Sequence, residues 1–411
     1  VSVGNAHLST IMAFSPSGGT IPRMITLPLE SRLIALPPLA LYIHIPWCVK
    51  KCPYCDFNSH TARDALPEAR YIEALTRDLE SALPLIWGRG IHSIFFGGGT
   101  PSLFSAAGID AILSMVRTLT KLDHFAEITL EANPGTVEAE KFAGFKAAGV
   151  NRLSLGIQSF DPGHLRALGR IHDAQEAHRA AEIAASTFDN FNLDLMYALP
   201  GQTLQQAQRD VDTALNYAPP HLSCYHLTLE PNTPFHAAPP PLPDDDLSAD
   251  MQMMVEATLA AAGYQHYETS AFARPRRQCR HNLNYWQFGD YLGIGAGAHG
   301  KLSFHDRILR QMRHKHPREY MEHALAGTPV QSEHGVARAD LAFEFMMNAL
   351  RLTGGFDTAL FTERTGLPIT AAQTALDEGE RRGLIVRDHL RIAPTQTGRR
   401  FLNDLLGLFL P

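Results

Sequence analysis

The chain has 411 residues, 45% hydrophobic and 19% charged, with a formal net charge of −6. This is globular composition, long enough for one large domain and something smaller, and the acidic balance argues against a general nucleic-acid binder. No run of eighteen apolar residues occurs, which excludes a membrane-spanning helix. Five cysteines, three of them clustered, do not read as a disulfide framework and fit a metal site in a reducing cytoplasm.

The start, VSVGNAHLSTIMAFSPSGGT, lacks the basic-then-apolar order of a secretory signal. It reads as a flexible lead over 1–35, within which Met24 opens a more compact sequence. The first predicted strand is LYIHIP (41–46). Directly after it, CVKKCPYCDFN (48–58) sets Cys48, Cys52 and Cys55 in a C-x3-C-x2-C pattern. Thiolates hold iron–sulfur clusters or zinc. A cubane cluster has four irons, so three cysteines leave one iron for a small molecule with an amine and a carboxylate. The competing reading is a structural zinc on three cysteines with His44 or His60.

In YIEALTRDLESAL (71–83), Ile72, Leu75, Leu79 and Leu83 recur at helical spacing. Strand 93–98 then runs into FFGGGTPS (95–102), where three glycines permit close backbone approach. Helices follow at 109–119, 138–149 and 204–217, and strands at 127–133, 152–159, 191–201 and 221–231. Six strands alternating with helices predict βα units and a parallel sheet, closed by right-handed crossovers into a barrel or partial barrel over 36–263. The cysteines, the glycines, Glu131, Gln158 and Asp194 fall near the C-terminal ends of five successive strands. Singly, each polar residue reads as a solvated or capping group. Together they form the rim where barrel enzymes place their sites.

A proline-rich break, AAPPPLPDDD (237–246), precedes one more helix. The connecting stretch 264–335 is rich in His, Arg, Gly and aromatics, with weak periodicity. Within it, CRHNLNYW (279–286) sets His281 beside Tyr285 and Trp286, an imidazole and two flat faces suited to heme. A packed, hydrogen-bonded loop histidine is the competing reading, and Cys279 offers a competing thiolate. The glycine-rich GDYLGIGAGAHGK (289–301) reads as close packing against the barrel. Helices at 341–352, 356–366 and 369–383, a hairpin at 384–394 and a last helix make 336–411 a winged-helix-like unit. It carries nine Lys+Arg and nine Asp+Glu. That neutrality argues against DNA binding, which needs clustered positive charge.

YIHIPWCVKKCPYCDF resembles the cluster loop of the radical S-adenosylmethionine (SAM) superfamily, and FFGGGTPS resembles its motif for the SAM amino group. LEANPG, LSLGIQSFD, LGRIHDAQEA and DLMYALPGQT are similar to the subgroup of oxygen-independent coproporphyrinogen III dehydrogenases and HemW heme chaperones. The resemblance covers roughly 24 to 405. It implies an α/β fold with a partial TIM-type (βα)6 barrel and a [4Fe–4S] cluster on Cys48, Cys52 and Cys55. It places SAM against Tyr42, Tyr54, Gly98, Gly99, Thr100, Glu131, Gln158, Arg170 and Asp194, some of which belong to a second SAM in the dehydrogenase. The dehydrogenase branch has a fourth cysteine where Phe57 stands here. That departure, with HNLNYW matching the HNxxYW motif, resembles the heme chaperones and implies His281 as axial heme ligand. The function implied is delivery of heme to respiratory hemoproteins, in the cytoplasm or peripherally at the membrane, with no catalytic residue assigned. The alternative is a coproporphyrinogen III oxidase that uses a 5′-deoxyadenosyl radical.

Overall fold

The run LALYIHI is apolar at nearly every position, the pattern of a strand covered on both faces. In the computed structural model it forms β1 (Leu39–Ile45), buried at six of its seven positions. The structure describes residues 8–11, 25–28, 33–62, 64–136 and 139–410. Two short strands, Leu8–Ile11 and Ile25–Pro28, pair antiparallel. Met24 and most of the 1–35 lead lie outside the described residues.

Five more strands follow β1 in parallel register: β2 (Gly90–Gly98), β3 (Lys121–Ala132), β4 (Arg152–Gln158), β5 (Phe191–Tyr197) and β6 (His221–His226). Helices cross between them: α1 (Glu68–Ala82), α2 (Ala106–Leu119), α3 (Ala139–Ala148), α4 (Ala174–Thr187) and α5 (Leu204–Leu215). α1 buries Tyr71, Ala74, Leu75, Asp78, Leu79 and Ala82, a stripe at three- and four-residue spacing. α4 and α5 start on reciprocal capping boxes, Asp173 with Glu176 and Thr203 with Gln206, which satisfy amides that the first turn leaves unbonded. α6 (Asp245–Ala261) follows the proline-rich break.

The 264–335 stretch departs from its irregular reading. It adds β7 (Gln265–Glu268), β8 (Ala271–Ala273), β9 (Asp290–Ile294), β10 (His299–Ser303), β11 (Ile308–Arg313) and β12 (Val330–Gly335) to the same sheet. The order is β7-β8-β6-β5-β4-β3-β2-β1-β9-β10-β11-β12. β9 runs parallel to β1, so the parallel array has seven strands rather than six. The glycine-rich segment is thus two strands that also pack closely. A Cβ on Gly293 would lie 2.0 Å from the His299 carbonyl oxygen. The alternation was hidden because several of the buried positions are polar. Asp290, Lys301, Ser303 and Arg313 are all buried. Asp290 accepts from Lys301 Nζ at 2.9 Å, and Arg89 Nη1 stands 2.8 Å from its other oxygen.

The CRHNLNYW peptide lies outside the barrel strands. It folds as α7 (Arg280–Trp286), packed against β1, β2 and β9. Glu127 of β3 accepts from the Arg280 and His281 amides at its N-terminus. α8 (Pro317–Leu325) packs on α1.

Beyond it, α9 (Leu341–Ala349), α10 (Thr358–Thr365) and α11 (Gln373–Arg381) surround a three-stranded wing of Phe356–Asp357, Ile385–Arg387 and Arg391–Pro394. Phe345, Phe361, Leu376, Ile392 and Leu405 form its core. Phe288 and Ile308 enter the same core from outside the 336–411 unit.

Candidate functional site

The cysteine loop leaves β1 through Trp47–Cys48, which pairs in parallel with His60–Thr61 and closes the loop at its base. Close to that base the loop is pinned by Asn58, whose Nδ2 donates to the carbonyls of Ala296 (3.0 Å) and Lys315 (2.8 Å). His44 lies beneath. Burial pushes its imidazole down to about 4, so the ring is neutral at pH 7. Nε2 lies 2.8 Å from the Asn58 carbonyl and must be the donor, so Nδ1 accepts from the Tyr42 hydroxyl at 3.1 Å. The glycines of β2 let this layer lie flat. Gly98 has φ +112°, and a Cβ there would meet the His44 ring at 2.5 Å. A Cβ on Gly99 would lie 2.5 Å from the Trp47 carbonyl oxygen, a backbone atom that cannot move aside.

Cys48, Cys52 and Cys55 are free thiols. Arg170 Nη1 points at Cys52 Sγ from 3.6 Å, while its Nη2 donates to Asn133 Oδ1 (2.6 Å) and the Gly156 carbonyl (2.7 Å). No three His, Cys, Asp or Glu side chains stand close enough to hold one metal ion among the described residues. His44 is engaged through both ring nitrogens, which leaves the single-zinc reading without its fourth ligand there. A polynuclear cluster spaces its thiolates more widely than a single ion does, so the three-thiol set fits that group better.

The thiols open onto a cavity of about 580 Å³. That lies within the range of small-molecule and cofactor sites. Of the sequence-predicted residues, Cys48, Cys52, Cys55, Tyr54, Gly98, Gly99, Thr100, Glu131, Gln158, Arg170 and Asp194 all line it. Gln158 reaches it from left-handed backbone, φ 69°. Burial, and then the Asp194 carboxylate, push Glu131 up to about 8. Asp194 is itself raised by burial, although Asn192 Nδ2 (2.8 Å) and Ser154 Oγ (3.1 Å) donate to it. Two neighbouring carboxyls lining the cavity attract an ammonium or sulfonium group.

Two predicted residues do not line the cavity. Tyr42 stands beneath it, stacked on Phe95 with its hydroxyl on His44. His281 is deeper, 1% exposed, with Ser93 Oγ 3.1 Å from Nδ1 and Tyr285 Oη 3.1 Å from Nε2. Burial pushes its imidazole down to about 3. Both nitrogens are occupied, so an incoming iron has no lone pair to meet in this arrangement. The competing ligand is weaker still. The Cys279 thiol is buried, pushed up to about 12, and faces Glu127 Oε1 at 3.5 Å.

Sequence reasoning missed Asn133, which joins Thr100 to Arg170, and Ser154, Tyr225 and Arg351, which line the cavity. Asn133 and Ser154 were within reach, since LEANPG holds one and Ser154 stands opposite Glu131 in strand register. Arg351 carried no signal, because it arrives from the C-terminal unit.

Residues 42–214 match the radical SAM superfamily and residues 336–401 the HemN C-terminal domain. The protein named heme chaperone HemW from Escherichia coli K12 is 50% identical over 382 residues, 92% of this chain and all of that one. Its Haemophilus influenzae namesake is 50% identical over 91% of this chain and 98% of its own. The Bacillus subtilis one is 34% identical over 90% of this chain and 98% of its own. The solved structure of E. coli coproporphyrinogen III oxidase (HemN), described as a radical SAM enzyme, superposes with a TM-score of 0.77 at 24% identity, covering 92% of each chain. That likeness establishes the fold: a radical SAM partial barrel carrying a helical C-terminal unit.

Proposed function

Since the chain belongs to the HemW family of radical SAM proteins, we propose that it is a cytoplasmic heme chaperone that holds a [4Fe–4S] cluster, SAM and heme and passes heme to respiratory hemoproteins. Cys48, Cys52 and Cys55 would hold the cluster, with Arg170 Nη1 directed at the Cys52 sulfur. When bound, the cluster supplies one-electron chemistry on SAM. Glu131 and Asp194 would face the cationic groups of SAM, while Gly98, Gly99 and Thr100 would offer backbone and hydroxyl groups at the cavity wall. Tyr54 would close one side, held by Phe235 (ring centroids 6.4 Å apart).

The observation that carries the chaperone reading is Phe57. Its ring is 61% exposed and lines the cavity two residues past Cys55. A phenyl group there cannot ligate, carry a proton or enter redox chemistry, but it offers an apolar face to a macrocycle. His281 is the proposed axial ligand, on one condition. Its hydrogen bonds to Ser93 and Tyr285 must release and α7 must draw away from β1, β2 and β9. Heme loading should therefore speed amide hydrogen exchange over 280–286. His281→Ala should alter the Soret band while leaving iron and sulfide content intact.

The deciding experiment takes anaerobically reconstituted protein, titrates hemin by absorbance, and then mixes the complex with an apo-cytochrome. Heme should bind and move. The same preparation with coproporphyrinogen III, SAM and a reductant should yield no protoporphyrinogen. Multiple turnovers, or no uptake of hemin, would overturn the reading.

A further inference from the structure

Residues between 48 and 230 line the cavity with one exception among the described residues, Arg351, which follows α9. Its guanidinium carbon stands 4.4 Å from the centroid of the Trp286 ring, a cation–π stack. Its Nη2 is 3.9 Å from Glu268 Oε2, an ion pair too long for a hydrogen bond. The edge strand β7, which carries Glu268, meets this unit through a backbone bridge from Glu268 to Leu352 and through the Thr353 hydroxyl, which donates to the His266 carbonyl. C-terminal unit, sheet edge and HNLNYW peptide thus meet around Arg351, which itself lines the cavity.

Three buried polar atoms at that point have no hydrogen-bond partner among the described residues: Arg351 Nε, Trp286 Nε1 and Glu268 Oε2. Folded proteins pair nearly all such groups, so three at one place mark a position prepared for something else. Two are N–H donors, one belonging to the guanidinium and one to the indole stacked on it. A planar acceptor with two oxygens and one negative charge matches that set. A phosphate does not, because the Glu268 carboxyl stands alongside and a dianion would oppose it. The side chain of Glu268 is 5% exposed, and burial raises its carboxyl to about 7 against the pull of Arg351. It is thus readily protonated beside an incoming anion, and then donates an O–H instead of repelling.

We propose that Arg351, held flat by Trp286, binds a carboxylate of the molecule occupying the cavity, and that this carboxylate is a heme propionate. The second clause rests on the heme reading above. SAM also carries a carboxylate, so the test separates the two sources.

Hemin and hemin dimethyl ester, whose propionates are capped, are titrated into the reconstituted protein and into Arg351→Gln, Arg351→Lys and Trp286→Phe, with SAM titrated calorimetrically into each. Loss of one charge-assisted pair should weaken hemin binding to Arg351→Gln about 10-fold to 100-fold. Arg351→Lys should recover part of it. Trp286→Phe keeps the stack and loses one donor, so it should fall between parent and Arg351→Gln. The dimethyl ester should bind the parent weakly and be indifferent to Arg351→Gln, the signature of a coupled pair. SAM affinity should not change. Hemin binding equal in parent and Arg351→Gln would overturn the inference and leave the heme reading standing. SAM affinity falling in its place would assign the carboxylate to SAM and refute the propionate. A parent that takes up no hemin, with SAM unaffected by the substitution, would sink both readings.

Discussion

Replacing Glu131 with glutamine isolates the electrostatics of the cavity. Glu131 ends β3 inside the barrel, and burial and then Asp194 raise its carboxyl from 4.5 to about 8, against the Gly98 amide and Arg152. The folded protein therefore keeps this proton where the unfolded chain has lost it. The stability it contributes is full below about pH 4.5 and drains away as pH rises through about 8, at roughly 1.4 kcal/mol per pH unit inside that window. A glutamine at this position has the same shape and no such slope. The cofactor-free E131Q protein should gain on the parent steadily from pH 5 to pH 8 in urea unfolding. Ligand binding gives a second reading. At pH 7 about nine-tenths of Glu131 carboxyls hold a proton if they titrate at about 8. Docking of cationic SAM against Glu131, as proposed, favours the ionised form and should expel most of one proton. Calorimetry at pH 7 in buffers of different ionisation enthalpy measures that release. The parent should release close to one proton and E131Q none. Equal release by both proteins, or a stability difference that is flat with pH, would refute the reasoning.

Three further outcomes follow from the same geometry. Changing Cys48, Cys52 or Cys55 to Ala should remove iron, sulfide and the broad visible absorbance of the reconstituted protein, and zinc in place of iron in the parent would defeat the cluster assignment. Gly99→Ala forces a Cβ to 2.5 Å from the Trp47 backbone. It should cost about 1–3 kcal/mol as an overpacking change and lower iron occupancy, read by unfolding and metal analysis; normal occupancy at unchanged stability would contradict the close-approach argument. Asp78→Ala strands the buried Arg313 guanidinium, which donates to Asp78 at 3.0 Å, and releases the Tyr320 hydroxyl at 2.9 Å. The expected loss is about 3–5 kcal/mol, measured by denaturant unfolding, and a loss under about 1 kcal/mol would mean solvent reaches the pair.

The parallel barrel was legible because its strands and helices bury apolar side chains at regular spacing, and Leu39–Ile45 and Glu68–Ala82 are the clearest cases. α4 was harder. Its buried face is Ala177, Ala180, Ala181 and Ala184, small side chains that give little contrast with the exposed face. β9 to β11 escaped because Asp290, Lys301 and Arg313 are buried where a strand would ordinarily show apolar residues. The thiol loop and most of the rim were readable because Cys48, Gly98, Glu131 and Gln158 stand at or beside strand ends, while Asp194 sits in the middle of β5. The heme motif was readable as a string, but its placement was not. Nothing local in HNLNYW says that Ser93 and Tyr285 will take both nitrogens of His281. Arg351 depends on packing between units far apart in the chain, which no short pattern encodes.

The two bonds from Asn58 have a consequence for synthesis. Their acceptors lie 238 and 257 residues further along the chain. At translation rates of about 5–20 residues per second, the ribosome takes roughly 13 to 51 seconds to make that distance. Throughout that interval the loop bearing Cys48, Cys52 and Cys55 has emerged without its anchors, and β1 lacks its β9 neighbour. The nascent chain thus offers its three thiols unlocked well before the finished fold closes around them. Iron delivery during translation meets a pliant loop, and delivery afterwards meets a fastened one.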